Sequence, residues 1–215
     1  NPDYKNEDKR DEFIKKNNLR FLRPYQVKAI EAIQQKIKAG ADRFLLEMAT
    51  GTGKTTTSSA IIKMFLRLYK VKRVLFLVDR LELETQAKKE INDFLQKDYE
   101  TVVWKDKKDN WKNAEIVIST VQSFTRHNKY KREFQPNSFD LVISDEAHRS
   151  LGQRSRNVFE YFIGFKLGLT ATPRDFLKAV DINDMSMSDP KELERRLMLD
   201  TFSIFGCENG HPTFR

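Results

Sequence analysis

The sequence predicts an α/β fold: a largely parallel sheet with helices on both faces. Three observations carry this reading. The stretch Phe44 to Thr56, FLLEMATGTGKTT, is a short apolar run, a glycine loop and a Lys-Thr pair, and Ala60, Ile61, Met64, Phe65 and Leu68 then recur at helical spacing. Further apolar runs, RVLFLV at 73–78 and DLVIS at 140–144, have the length of buried strands, and helical patterns separate them. Polar groups collect where these runs end, and an open parallel sheet gathers its ligands at the carboxyl ends of its strands.

A length of 215 residues suits one such domain, or one and a fraction. Hydrophobic residues at 39% and aromatic residues at 11% exclude wholesale disorder. A net charge of +8 favours a polyanionic partner, nucleic acid above all, although lysine-rich solubility explains the charge equally well. Cys207 is the sole cysteine, which excludes a disulfide framework and fits a reducing, cytoplasmic compartment. No apolar run approaches membrane-spanning length and no signal peptide is visible, so no membrane association is expected. The chain begins at Asn1 rather than at Met and reads as a piece of a longer protein.

Residues 1–22 are charged and polar, with Phe13, Ile14, Leu19 and Phe21 interspersed, and are expected to be a linker from an upstream domain or a short amphipathic helix. Pro2-Asp3 with Glu7-Asp8-Lys9 imitates a nuclease motif, but the spacing is too short to place those groups on paired strands around a metal. Arg23-Pro24-Tyr25-Gln26 opens a helix with proline in its first turn. Tyr25, Ala29, Ile30, Ile33 and Ile37 form its apolar stripe and Gly40 ends it. Gln26, donor and acceptor at once, can pair with an adenine edge.

The first strand and its loop form a phosphate-binding P-loop. Gly51 and Gly53 allow a tight turn whose N–H groups reach phosphate oxygens, and the helix N-terminus adds donors and partial positive charge. Lys54 brings a full charge to the β- and γ-phosphates, and the Thr55 hydroxyl suits a magnesium ion. The common pattern has glycine where this chain has Met48. The second strand, 73–78, ends in Asp79-Arg80, and Leu81, Leu83, Ala87, Ile91, Phe94 and Leu95 mark the next helix. Arg80 is placed for function at a strand end, with a structural salt bridge as the competing role.

A short third strand at 101–104, a charged loop at 105–113 bearing Trp111, and a fourth strand at 115–119 follow. The fourth exits into Thr120-Val121-Gln122-Ser123-Phe124. Arg126, Lys129, Lys131 and Arg132 then cluster, as phosphate contacts or as a solvated loop. The fifth strand ends in Asp145-Glu146-Ala147-His148. This places paired acids roughly 90 residues after the P-loop, with Asp145 suited to hold magnesium through water and Glu146 to deprotonate the attacking water. His148 can sense the γ-phosphate. Arg149 to Arg156 precedes a helix with Val158, Phe159 and Phe162. The sixth strand, 166–169, ends in Thr170-Ala171-Thr172-Pro173, whose hydroxyls can bond to the acid motif. Helices are expected over 175–180 and 190–197 with a loop at 184–188 between them, and Gly206, Gly210 and Pro212 suggest a turn before a final strand.

MATGTGKT, DEAHRS and GLTATP, in this order, resemble the first RecA-like motor domain of superfamily 2 helicases and translocases, over roughly Leu22 to Pro173. RPYQ resembles that group's adenine-reading motif, FLVDR its motif Ia, and STVQSF lies where motif Ib contacts to DNA occur. Within the superfamily, FLVDRLELETQA, DEAHRS, LGLTATP and the tail TFSIFGCENGHPTFR are most similar to the motor (R) subunit of type I restriction enzymes. Type III restriction subunits and other DEAH-like translocases stay open as alternatives, as does a nucleotide-gated module without turnover.

The resemblance implies ATP and Mg2+ as ligands, held by Arg23, Gln26, Thr50, Gly51, Thr52, Gly53, Lys54, Thr55 and Thr56. It implies Lys54, Asp145 and Glu146 as the catalytic set, with Thr55 and Asp145 on the metal. His148, Thr170 and Thr172 are implied to couple hydrolysis to movement, and Arg80, Thr120 and Gln122 to contact duplex DNA. Expected partners are double-stranded DNA, a second RecA-like domain of the same full-length chain, and methylation and specificity subunits. Residues 1–22 are expected to precede this ATP-binding domain, 23–215. No arginine-rich motif VI, second RecA-like domain or credible nuclease motif is found in the sequence.

Overall fold

The computed structural model describes residues 21–69, 71–95, 98–104, 111–148, 153–174, 200–207 and 210–215, with single positions among the first sixteen. Most of the expected N-terminal linker, the loop at 105–110, the stretch 149–152, and the helices and loop expected over 175–197 lie outside the described residues.

Six strands form one sheet: β1 (Arg43–Glu47), β2 (Val74–Val78), β3 (Thr101–Val103), β4 (Ile116–Thr120), β5 (Leu141–Ser144) and β6 (Phe165–Thr170). Their order is β1-β6-β5-β2-β4-β3 and every pairing is parallel. The helices are α1 (Pro24–Lys38), α2 (Lys54–Leu68), α3 (Leu81–Leu95), α4 (Val121–Thr125), α5 (Lys129–Glu133), α6 (Gln153–Tyr161) and α7 (Thr201–Ile204).

Strand side chains alternate, so continuous apolar runs must be covered on both sides. Phe44, Leu46, Val74, Phe76 and Val78 meet Ala29, Ile33, Ile61, Phe65, Ala87 and Ile91 of α1 to α3. Leu45, Leu75, Leu77, Val117 and Val142 face the other way, onto Phe124, Phe134, Phe139, Phe159, Phe162 and Phe205. The two layers follow from handedness. The chain runs outward from β1 through β2 to β3 and returns through β4 and β5 to β6, and right-handed crossovers put outward and returning helices on opposite faces. Leu68 and Leu81, expected in apolar stripes, are 63% and 50% exposed: they are the last residue of α2 and the first of α3.

The tail closes the outer edge of β1. Phe214 bridges Leu46 in parallel, Glu47 N donates to Phe214 O at 2.8 Å, and Leu45 N donates to Thr213 Oγ1 at 3.1 Å. The expected final strand is this short pairing, and it occupies donors that an open edge would present to other chains.

β6 carries two unusual residues. Gly168 lets the Phe205 ring lie on the sheet, for a Cβ there would stand 2.6 Å from it. Lys166, 3% exposed, donates to Gly164 O near Arg43, whose guanidinium pairs with Glu160 at 2.8 Å. Burial, with Arg43 alongside, lowers the Lys166 ammonium to about 8 against the opposing pull of Asp42 and Glu160. The unfolded chain keeps this proton up to about pH 10.4, so above about pH 8 it binds more protons than the folded chain and stability rises with pH. Urea unfolding of wild type and Lys166→Met at pH 8 and pH 10 should show the wild type gaining about 2 kcal/mol relative to the variant. Parallel pH profiles would show that Lys166 does not titrate in this window.

Candidate active site

The site forms where β1, β6 and β5 end side by side. Register sets Glu47 opposite Thr170 and Ser144 opposite Gly168. Met48 N donates to Thr170 O and Ala147 N to Leu169 O, both at 2.8 Å, so the segments leaving the three strands stay laced together.

After β1 the chain turns through Gly51 (φ 76°) and Gly53 (φ 81°), left-handed conformations that glycine adopts without strain. Gly53 is the N-cap of α2. It offers no side chain to the helix terminus, and the first turn carries no acid. The unpaired N–H groups of that turn therefore remain an anion-binding surface. Within the loop, the Thr52 hydroxyl donates to Ala49 O at 2.6 Å and the Tyr25 hydroxyl donates to Thr52 O. Thr50 is exposed and Thr55 and Thr56 are half-buried.

Lys54 and Glu146 form an ion pair, with 10% and 21% of their side chains exposed. Glu146 adopts φ 52°, a left-handed conformation that costs a non-glycine residue about 1–3 kcal/mol and is held only by its surroundings. Its N–H donates to Asp145 Oδ1 at 3.0 Å, and the strand-to-turn hydrogen bonds on either side fix the bend. The bend returns the carboxylate toward the P-loop. The other Glu146 oxygen lies 3.4 Å from His148 Nδ1, which shares a 2.7 Å hydrogen bond with Thr170 Oγ1. Thr172 N donates to that same Oγ1 at 3.1 Å. Lys54, Glu146, His148, Thr170 and Thr172 thus form one continuous polar chain.

Asp145 sits deeper. Burial raises its proton affinity above the ordinary aspartate range, with Lys54 pulling the other way. Asp145 and Thr55 line a cavity of about 100 Å3 that extends to Gln86 and Glu90 of α3. Among the described residues no cluster of three or more His, Cys, Asp or Glu side chains makes a metal cage. A hydroxyl and a carboxylate are hard oxygen donors, and magnesium is characteristically held by one or two protein oxygens together with substrate phosphates. The open helix terminus, the glycine turn and this donor pair fit a magnesium-bound nucleoside triphosphate.

Gln26 is drawn further inward than its sequence position suggests. It is 3% exposed, accepts from Arg23 N at 2.9 Å, and donates to Thr57 Oγ1 at 3.0 Å and Gly53 O at 3.3 Å. The amide braces the P-loop, and pairing with an adenine edge requires exchange of one of these bonds. Arg23 is exposed, its guanidinium 3.5 Å from the Tyr25 hydroxyl.

The residues expected to contact DNA divide. Arg80 is exposed, with only a loose 3.6 Å approach to Asp79, and Gln122 is exposed. Thr120 is a correction: it is fully buried, and its hydroxyl caps α4 by accepting from Ser123 N at 3.1 Å. It shapes the exit from β4 and presents no group at the surface. Sequence reasoning missed Glu84, a 5% exposed carboxylate that accepts from Thr120 N at 2.8 Å and ties α3 to that exit. An acid one turn into an amphipathic helix carries no signal of this role.

Strand order and motif placement define a RecA-like core of the helicase superfamily 2 kind, close to the motor subunit of type I restriction enzymes. The chain belongs to the family described as type III restriction enzyme, res subunit, which matches residues 20–175. It is 36% identical over 161 residues to the type I restriction enzyme EcoAI endonuclease subunit of Escherichia coli, an alignment covering 71% of this chain and 19% of that one. The structure of a nuclease-deletion mutant of the Type ISP restriction-modification enzyme LlaGI, in complex with a DNA substrate mimic, is 28% identical with a TM-score of 0.58, covering 78% of this chain and 19% of that one. The Sulfolobus solfataricus SWI2/SNF2 ATPase core in complex with dsDNA shares the fold, with a TM-score of 0.65 at 19% identity over 88% of this chain and 36% of that one. The chain therefore spans about a fifth of the length of its curated Escherichia coli relative.

Gln26→Ala should lower the unfolding free energy in urea by about 1–3 kcal/mol, because it leaves buried polar groups of the P-loop brace without partners. An unchanged midpoint would mean that the amide does not hold the loop.

Proposed function

We propose that this chain is the first RecA-like motor domain, over 23–215, of a restriction enzyme R subunit, and that it binds and hydrolyses ATP-Mg to move duplex DNA. The observation that carries the reading is the polar chain from Lys54 through Glu146 and His148 to Thr170 and Thr172, which joins the P-loop to the ends of β5 and β6.

In this reading each residue has a stated role. The N–H groups of the α2 terminus and of the loop Thr50 to Gly53 receive phosphate oxygens. Lys54, now neutralised by Glu146, exchanges that partner for the β- and γ-phosphates. Glu146 is thereby released to accept a proton from the attacking water. Thr55 and Asp145 hold the magnesium ion, which supplies positive charge against the triphosphate when bound. Arg23 and Gln26 take the base, with Thr56 completing the phosphate turn. His148 loses one neighbour when Glu146 moves, and the change reaches Thr170 and Thr172, which couple hydrolysis to movement.

Arg80 and Gln122 face the DNA, and Thr120 positions Gln122 through its cap. The longer protein supplies a second RecA-like domain, which brings the transition-state arginines, and associates with methylation and specificity subunits in the cytoplasm. Among the described residues no helix is long and apolar enough to cross a membrane.

ATP hydrolysis by the full-length protein, with and without linear duplex DNA, tests the reading. Duplex should stimulate turnover, and the stimulation should fade as salt rises. Glu146→Gln should lower turnover by about 10²-fold or more while retaining nucleotide binding, and Lys54→Ala should weaken both. Unchanged turnover in Glu146→Gln would remove the base assignment. Stimulation by single strands or RNA instead of duplex would make the protein a strand-separating helicase.

A further inference from the structure

The chain leaving β4 does something the nucleotide site does not use. After α4 it passes through a 3-10 turn, Arg126–Asn128, in which His127 and Asn128 both adopt φ 53°, and then enters α5. Two consecutive non-glycine residues in the left-handed region make a strained elbow. Arg126, Lys129, Lys131 and Arg132 around it are all exposed, and none forms an ion pair with a described residue. The only acid between Val121 and Glu133 is Glu133 itself.

This is not a loosely solvated run of charge. The elbow stands on an aromatic base. Phe124 and Phe134 stack at 5.2 Å, Tyr130 meets Tyr161 edge-on at 5.1 Å, and the Tyr161 hydroxyl donates to Phe134 O at 2.7 Å. Lys129 Nζ lies 5.6 Å from the centre of the Trp104 ring. Lys131 Nζ lies 5.8 Å from the centre of the Tyr130 ring, so aromatic rings fix the elbow from below while all four basic residues stay exposed.

Because every strand pairing is parallel, the exit of β4 at Thr120 lies on the same edge of the sheet as the P-loop, and the chain reaches the elbow from there through α4. That exit is offset from the end of β1 by four strand spacings of about 4.8 Å, roughly 19 Å.

We propose that this elbow is a phosphate-gripping surface for the backbone of duplex DNA, with Arg126, Lys129, Lys131 and Arg132 as its cations. The inference rests on the DNA-motor reading and extends it to residues outside the helicase motifs. Positive charge with reach is what phosphate contact needs. A single-strand site needs open aromatic platforms for the bases. Here Phe124, Tyr130 and Phe134 are buried and the half-buried Trp104 is overlain by Lys129, which favours duplex.

The test is the salt dependence of binding to a linear duplex by the full-length protein, wild type against Arg126→Gln/Lys129→Gln/Lys131→Gln/Arg132→Gln, with the thermal midpoint as a control for folding. The expected result is a slope of log K against log salt smaller by about 3–4, near 0.9 for each lost phosphate contact, at an unchanged midpoint. A second variant, with Lys129 and Lys131 changed to Arg, should keep the wild-type slope. An unaltered slope in the Gln variant of a protein that does bind duplex overturns the elbow and leaves the motor reading standing. Unaltered DNA binding with loss of association to partner subunits overturns it in favour of a protein-docking surface. Absence of salt-dependent duplex binding in the wild type overturns both readings.

Discussion

The position of β6 and β5 between β1 and β2 is the constraint on which the chemistry of this chain depends. Lys54 and Glu146 lie 92 positions apart, and the order β1-β6-β5, which leaves a single strand between theirs, brings them together. Parallel pairing makes all three strands end on one side, and the register keeps those ends level: Glu47 opposite Thr170, Ser144 opposite Gly168. A slip of one residue would exchange the faces of a whole strand. It would put Leu167 and Leu169 on the face that now receives Phe205, so core packing and site geometry are enforced by the same register.

Electrostatics sets the resting condition of the site. Two acids follow one another at the end of β5 and one lysine serves both. Glu146 takes the direct contact, and Asp145 is left with a carboxylate whose burial works against its charge. That contact neutralises the lysine, and the strained φ of Glu146 is tolerated because the bend places its carboxylate on Lys54. The same residue approaches His148, so the pair that neutralises the P-loop is also the first link toward Thr170. On the proposed reading, binding and coupling begin from one contact.

Much of this was legible in the sequence. Apolar runs located all six strands within a residue or so, because burial on both faces leaves a continuous hydrophobic signature. GTGKTT, DEAH and TATP identified the groups that converge, since each combines a special backbone demand with a specific side-chain chemistry. What stayed hidden are long-range pairings that periodicity cannot encode. Thr120 was expected to contact DNA because STVQSF lies where motif Ib contacts occur, yet it caps a helix beneath the surface. Glu84 looked like an ordinary helical acid, and Gln26 like a reader of bases alone, because their partners lie 36 and 31 positions away. The basic cluster at 126–132 read either as phosphate contacts or as a solvated loop, since nothing local announces two consecutive left-handed residues between two short helices.

One helix joins the cavity beside the P-loop to the exit of β4. At one point α3 lines the cavity shared with Thr55 and Asp145, through Gln86, Ala87 and Glu90, with Gln86 donating to Glu90 at 2.8 Å. One turn earlier its Glu84 holds the backbone of Thr120, the residue that caps α4 and begins the path to the elbow. A 15-residue helix is a stiff rod of about 22 Å, so a shift at Gln86 and Glu90 cannot leave Glu84 where it was. Glu84 is buried and bonded to a main-chain N–H, which gives a displacement of α3 a direct hold on the β4 exit. On the proposed reading, this continuity from the cavity lined by Thr55 and Asp145 to the exit of β4 lets the nucleotide site act on the cationic surface beyond α4.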